Sequence, residues 1–281
     1  MPSNESTDAQ ADQIARDLKI PPCPAILADY AAEAKKDDPD TRKLAGLIGR
    51  DAALAAAIIR AVNSPLYGLG RQATDIQQAL AILGLRAAAN LITGLLLRQA
   101  FPAAAGALMQ RFWDDSSQTS DAAGELARHV KGVSRDEVLT FGLFRNAGMA
   151  VMIAKFPDYG SIVEAHATGA GPELILAEEA RYRYNHARVG YSLARGWLLT
   201  DTMSRSILFH HDIAQVAART RETAAASPAL TAAGLLAEQI KELRAGRGVT
   251  AEWLAHEAFC LETLAIDADT IAGLVASPKA D

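Results

Sequence analysis

The apolar run Val138–Ile153 constrains the fold of this chain more than any other stretch. It reads VLTFGLFRNAGMAVMI and is interrupted near its middle by two strongly polar residues, Arg145 and Asn146. The four residues before it, SRDE, have the spacing of a helix capping box. We therefore predict one helix, running to about Lys155, that is buried on nearly every side. An Arg–Asn pair inside such a helix costs free energy unless other residues satisfy its donors and acceptors.

The rest of the chain has helical periodicity, and no segment shows the alternation that is typical of a strand. Two successive helices are predicted to carry apolar stripes, the first at Leu44, Leu47 and Ile48 and the second at Leu54, Ile58, Ile59 and Val62. Half of its 281 residues are hydrophobic, enough for a sizeable core. We predict an all-α fold of two packed helical lobes. The expected segments are a polar, mobile N-terminal arm (1–19), an N-terminal lobe (20–102) and a C-terminal lobe with the last helices (103–276).

The net charge of −5 is unevenly distributed along the chain. Residues 1–40 carry nine acidic and four basic side chains, whereas residues 41–98 carry two acidic and seven basic ones. Nucleic-acid binding through residues 41–98 is therefore one hypothesis. The basic residues are scattered singly without interleaved aromatic residues, so a solvated helix face is the favoured interpretation and nucleic acid is an unlikely partner. An acidic arm lying over this region would also account for the pattern.

Localisation is predicted from three negative features. The apolar run Ala87–Leu97 is shorter than the about 20 residues that span a bilayer. The N-terminus is polar and acidic, unlike a signal peptide. The only cysteines, Cys23 and Cys260, lie far apart in the sequence. These features indicate a cytoplasmic protein without a disulfide framework and with no membrane partner.

Three histidines are the best candidates to lie opposite Arg145 and Asn146: His186, His210 and His211. Converging imidazoles bind divalent metals when carboxylates complete the site. Arg145 is a permanent cation that repels a metal, and Asn146 offers a neutral oxygen where an anionic one is needed. The sequence therefore predicts no metal, no cofactor and no catalytic residue.

Several segments, taken in order, resemble an HDOD domain, which is related to the HD phosphohydrolases named for a metal-binding His-Asp pair. The resemblance covers nearly the whole chain from Ile20 to Val275. The most specific segment contains Asp51, Asn63, Ser64, Tyr67 and Gly68. The matching segments are IPPCPAIL, IGRDAALAAAIIRAVNSPLYG, IQQALAILGL, the pair FW at residues 112–113, FGLFRNAGMAVM, NHARVGYSLA and FHHD.

The departures from the superfamily pattern concern the metal site. Active members carry His-Asp where this chain has Arg145-Asn146, and commonly a His where it has Asp115. The three late histidines still resemble those of the superfamily. The resemblance implies that the C-terminal lobe is HD-phosphohydrolase-like. It also implies a bacterial, non-catalytic signalling output domain that binds a partner protein, with a small anionic ligand as a further candidate.

Alternatives remain open at the same residues. A residual phosphohydrolase acting on a nucleotide or cyclic dinucleotide would need Asp115 or Asp212 to join the histidines around a metal. Arg145 could receive an anion in a bidentate fork or form a salt bridge to Asp115. Asn63 and Ser64, with Tyr67 and Gly68, are most simply a helix stop and a turn.

Overall fold

The computed structural model describes residues 4–64, 72–166, 171–220 and 223–276. These ranges contain helices, turns and irregular segments but no strand, and the predicted all-α class is confirmed. Contacts divide the chain into two compact units. Pro22–Ala100 forms the first unit, and Phe101–Ser277 forms the second together with Met1–Pro21.

The first unit is built from four helices: α2 (Ala25–Ala34), α3 (Thr41–Gly49), α4 (Ala52–Val62) and α5 (Ile76–Ala100). The predicted apolar stripes form its core, with Leu44, Ile48, Leu54, Ile58 and Val62 fully buried. Helix α5 changes direction at Gly84, where φ is +74°, a backbone conformation that glycine adopts at little cost.

Three of the five family-motif residues have structural contacts in this unit. Asp51 caps α4 by accepting a hydrogen bond from the Leu54 amide at 2.9 Å. The Asn63 side chain donates to the carbonyl and accepts from the amide of Ala73, both at 2.8 Å, and so joins the two ends of the connection between α4 and α5. Ser64 donates to the Ala61 carbonyl. Tyr67 and Gly68 lie outside the described residues.

The second unit contains the remaining helices. They are α1 (Asn4–Asp17), α6 (Ala107–Leu126), α7 (Arg135–Phe144), α8 (Ala147–Lys155), α9 (Tyr159–Ala165), α10 (Gly171–Tyr182), α11 (His186–Gly196), α12 (Asp201–Leu208), α13 (Ile213–Ala217), α14 (Pro228–Arg244), α15 (Ala251–Leu264) and α16 (Ala268–Ala276), with a 3-10 turn at Ala103–Ala105. Helix α14 packs against α6, α7 and α15, while α8 and α12 pack against α11.

The apolar run 138–153 forms two helices, so the prediction of one continuous helix is wrong. The predicted capping box is present at the start of α7, but α7 ends at Phe144 and α8 begins at Ala147. At the break, Asn146 adopts φ −102° and ψ 12°. Arg145 bonds to α14 and Asn146 to His210. The interruption lets two adjacent polar side chains reach different partners.

The N-terminal segment is docked on α11 instead of mobile. Asp8 accepts a hydrogen bond from the Tyr191 hydroxyl at 2.5 Å, and the Ala11 carbonyl accepts one from Ser192 at 2.6 Å. Asp12 lies 3.3 Å from the Arg195 guanidinium. These carboxylates therefore pair with hydroxyl and guanidinium groups of α11, within the same unit.

Two stretches, Ile76–Ala105 and Arg135–Lys155, are long and apolar enough to cross a membrane by length and composition. The first is longer than the apolar run recognised in the sequence. In the second, 61% of the most apolar window is buried within the protein, as in a core helix of a soluble protein.

Candidate functional site

The three predicted histidines converge in the second unit. His186 is the first residue of α11, and His210 and His211 lie in the turn between α12 and α13. One ring nitrogen of each lies within 4.8 Å of those of the other two. The shortest separation joins the Nε2 atoms of His186 and His210 at 3.3 Å. His186 and His210 are both 1% exposed, so this contact is buried.

Each histidine is oriented through its Nδ1 atom by an oxygen acceptor. His186 lies 2.8 Å from Glu178, His211 lies 2.7 Å from Glu252, and His210 lies 2.6 Å from the Ile207 carbonyl. An oxygen acceptor fixes the proton on Nδ1 and leaves the Nε2 lone pair for another partner. The same outer contacts orient histidines that bind metals in proteins.

Glu178 is a buried carboxylate that remains ionised because of its partners. Burial alone would raise the pKa of Glu178, but the His186 ring and amide and the Tyr159 hydroxyl outweigh it and lower that pKa overall. The Tyr159 hydroxyl donates to Glu178 Oε1, and the His186 amide donates to Oε2 at 2.8 Å. These bonds also tie α9, α10 and α11 together.

Asn146 places a fourth polar group at the cluster. Its Oδ1 atom lies 3.1 Å from His210 Nε2. Burial, and then the neighbouring His211, Arg145 and His186, hold the pKa of His210 well below its ordinary value. His210 is therefore neutral, and with its Nδ1 proton directed to a carbonyl its Nε2 atom is an acceptor.

Arg145 points to α14 and is 1% exposed. Its Nη1 atom lies 2.8 Å from Glu238 and donates to the Gly234 carbonyl at 2.7 Å. Burial alone would raise the pKa of Glu238, but Arg145 and then Lys241 lower it to about 2. Within the described structure, Nε and Nη2 of Arg145 have no protein partner.

The salt bridge between Arg145 and Asp115, one of the two alternatives considered for Arg145, does not form among the described residues. Asp115 instead accepts a hydrogen bond from Lys241 at 2.6 Å, and Arg145 pairs with Glu238. Asp212, the other carboxylate proposed for a metal, accepts a hydrogen bond from Gln215.

Four charged residues of this region were not predicted from the sequence: Glu178, Glu238, Lys241 and Glu252. Glu238 and Lys241 lie in the apolar stretch of α14, and a carboxylate or ammonium in such a helix needs a charged partner when it is buried. That signal could have marked them. The partners themselves lie about 90 to 130 residues away in sequence.

A cavity of about 550 Å³ lies beside His211, one of the three clustered histidines. Its walls come from α1, α10, α11 and the turn after α12, and they include His211 and Asp212. The lining is mostly apolar, with Arg188 and Glu179 among its charged groups. Such a cavity could admit a small molecule to the exposed side of His211.

A two-metal hydrolytic centre does not fit these residues. Such a centre needs carboxylates that bridge both ions. Arg145 contributes a cation, Asn146 is neutral, and the nearby Asp115 is held by Lys241. The three imidazoles alone are compatible with a single ion.

The chain was compared with known proteins. An uncharacterized protein of Treponema pallidum (strain Nichols) is 25% identical over 227 residues, which is 76% of this chain and 42% of the relative; the chain thus spans less than half of that protein. An HDOD domain protein of unknown function from Geobacter sulfurreducens has a TM-score of 0.64 at 20% identity, covering 96% of this chain and 94% of its own. A Shewanella amazonensis SB2B protein, named only provisionally as a phosphohydrolase, has a TM-score of 0.67 at 20% identity, with 93% and 91% covered.

At these identities the two structures establish a shared fold and nothing further about activity. The family model of the HDOD domain matches residues 20–213, well over half of the chain. These limits include α2 to α12 and all three histidines of the cluster. The chain belongs to the HDOD domain family.

Proposed function

We propose that this protein is a non-catalytic regulatory domain that transmits a signal in the bacterial cytoplasm by binding a partner protein. The observation that carries the proposal is the fate of Arg145 and Asn146, at the position where hydrolytic relatives keep His-Asp. The Arg145 Nη1 atom forms an ion pair with Glu238 and donates a hydrogen bond to the Gly234 carbonyl, and Asn146 contributes no negative charge.

The same contacts weaken the hypothesis that Arg145 receives a small anionic ligand. A bidentate anion would need to reach the Nε and Nη2 atoms, which are buried, and would face the neighbouring Glu238 carboxylate. A ligand that enters the cavity beside His211 is a better candidate, because this cavity is accessible and combines apolar walls with a few polar groups.

Capture of the partner tests the proposal. The folded full-length chain, immobilised at one terminus, is expected to retain a specific protein from a lysate of its own source organism. The matched control is the same chain unfolded by heat before immobilisation. The retained protein, once purified, should form a complex of defined stoichiometry with the chain in size-exclusion chromatography. Binding that survives unfolding, or the lack of any direct complex, would contradict the proposal.

A further inference from the structure

Three lone pairs meet at the buried end of the histidine cluster. The Nε2 atoms of His186 and His210 face each other at 3.3 Å, and Asn146 Oδ1 lies 3.1 Å from the latter. In the tautomer with the proton on Nδ1, the nitrogen that faces an oxygen acceptor in both rings, each Nε2 atom is an acceptor. Facing acceptors repel each other, so this arrangement requires a cation or a proton between them.

The distances suit a metal ion. Two nitrogens bound to one tetrahedral zinc ion at about 2.0–2.1 Å stand roughly 3.3 Å apart. The separation between the Nε2 atoms of His186 and His210 matches this value. His211 brings a ring nitrogen within 4.8 Å of one ring nitrogen of each of the other two histidines. Imidazole ligands favour zinc and the neighbouring transition metals over magnesium or calcium.

The surroundings also suit a divalent charge. Glu178 and Glu252 bond to the outer nitrogens of His186 and His211 and bring two carboxylates beside the site. The positive charge of Arg145 opposes a cation, but Glu238 lies 2.8 Å from it and offsets this effect. The cluster therefore lacks the bridging carboxylates of a two-metal centre while keeping the oriented imidazoles of a single-metal site.

We propose that His186, His210 and His211, together with the Asn146 side-chain oxygen, bind one divalent transition-metal ion of the zinc type. This ion would join the break between α7 and α8 to the start of α11 and to the turn after α12. Its role is structural or regulatory, and the inference does not depend on whether the chain binds a partner protein.

The competing arrangement is a proton on His186 Nε2 shared with His210, accompanied by rotation of the Asn146 amide so that its NH₂ group donates. Both arrangements relieve the repulsion between acceptors. They differ in metal content, because the protonated arrangement leaves no room for an ion between the two Nε2 atoms.

Metal analysis of the full-length chain, first treated with chelator and then dialysed against zinc or cobalt, tests the proposal. We expect one ion per chain and, for cobalt, the visible absorption of a low-coordinate nitrogen-bound ion. Glu178→Gln, which removes the carboxylate that orients His186 through Nδ1, should weaken metal affinity about 10–100-fold. His210→Gln should abolish stoichiometric binding. The matched control His129→Gln, at an exposed histidine, should bind as the wild type does.

Asn146→Asp distinguishes a loss of metal binding from a failure to fold. It supplies an anionic oxygen at the same position, and we expect tighter metal binding than in the wild type. A gain in affinity cannot result from misfolding. No retained ion in either the wild type or Asn146→Asp would overturn the proposal, as would binding that His210→Gln and Glu178→Gln leave unchanged. This result and the proposed function are tested separately. Metal-dependent turnover of a substrate would contradict the proposed function, whereas a bound metal ion alone would not.

Discussion

Replacing Gly148 with alanine is expected to destabilise the second unit by about 3 kcal/mol or more. Gly148 lies on α8 where it crosses α11. A Cβ atom there would meet the His186 carbonyl oxygen at 1.9 Å and the Gly190 amide nitrogen at 2.6 Å. Both atoms belong to the backbone, so no side-chain rotation relieves the overlap and the two helices must separate.

Gly196→Ala is the matched control. Gly196 ends α11, and a Cβ atom at this position would meet nothing within 4 Å. We expect this variant to be unchanged or more stable by up to about 1 kcal/mol, because alanine loses less backbone entropy than glycine in a helix. Urea unfolding followed by circular dichroism compares the two. Equal stability of Gly148→Ala and Gly196→Ala would contradict the close helix crossing.

Arg145→Met should cost about 3 kcal/mol of unfolding free energy at neutral pH, since it leaves Glu238 ionised without its main partner. We take the lower end of the range for broken buried pairs, because Glu238 is 25% exposed and lies 4.0 Å from Lys241. Methionine keeps most of the side-chain volume, so the decrease in unfolding free energy comes from the broken charge pair more than from a cavity.

The cost of Arg145→Met should depend on pH in a defined direction. Arg145 and Lys241 lower the pKa of Glu238 from its ordinary value of 4.5 to about 2 in the folded chain. A lowered folded-state pKa stabilises the protein above the unfolded pKa, and that stability is lost as the pH falls through the folded value. The difference between wild type and variant should therefore be greatest above pH 4.5 and shrink towards pH 2.

Two companion variants isolate the interaction. Arg188→Met removes a half-exposed arginine of α11 that lies 3.6 Å from Glu179, and it should change stability by less than about 1 kcal/mol. Combining Arg145→Met with Glu238→Gln should recover part of the loss, because no unpaired carboxylate remains. A double variant as unstable as the sum of the single variants would show that the pair contributes nothing.

Which features of the fold could be predicted from the sequence depends on how far apart in sequence the contacting residues lie. Helical periodicity located the core stripes of α3 and α4, because they depend on neighbouring residues. Periodicity did not predict the helix break at Arg145 and Asn146, because the partners of these residues lie on α14 and in the turn after α12. Periodicity carries no information on contacts 64 or 89 residues apart.

The candidate site shows the same division. The histidines were predictable because imidazoles are rare in this chain and chemically distinctive, with six in the whole sequence. Their carboxylate partners were not, because Glu178 and Glu252 are two of many acidic residues with no local mark. Asp115 was considered as a partner of Arg145. Its partner in the structure is Lys241, which lies 126 residues away in the sequence.

We propose that this domain has the helical fold and the late histidines of a phosphohydrolase without its hydrolytic activity. The decisive measurement is the turnover of a cyclic dinucleotide and of a generic phosphodiester by the purified chain, with manganese or zinc present. We predict a rate equal to that of the buffer blank, unchanged in His210→Gln and Arg145→Met. Saturable, chelator-sensitive hydrolysis by the wild type that disappears in His210→Gln would contradict the claim.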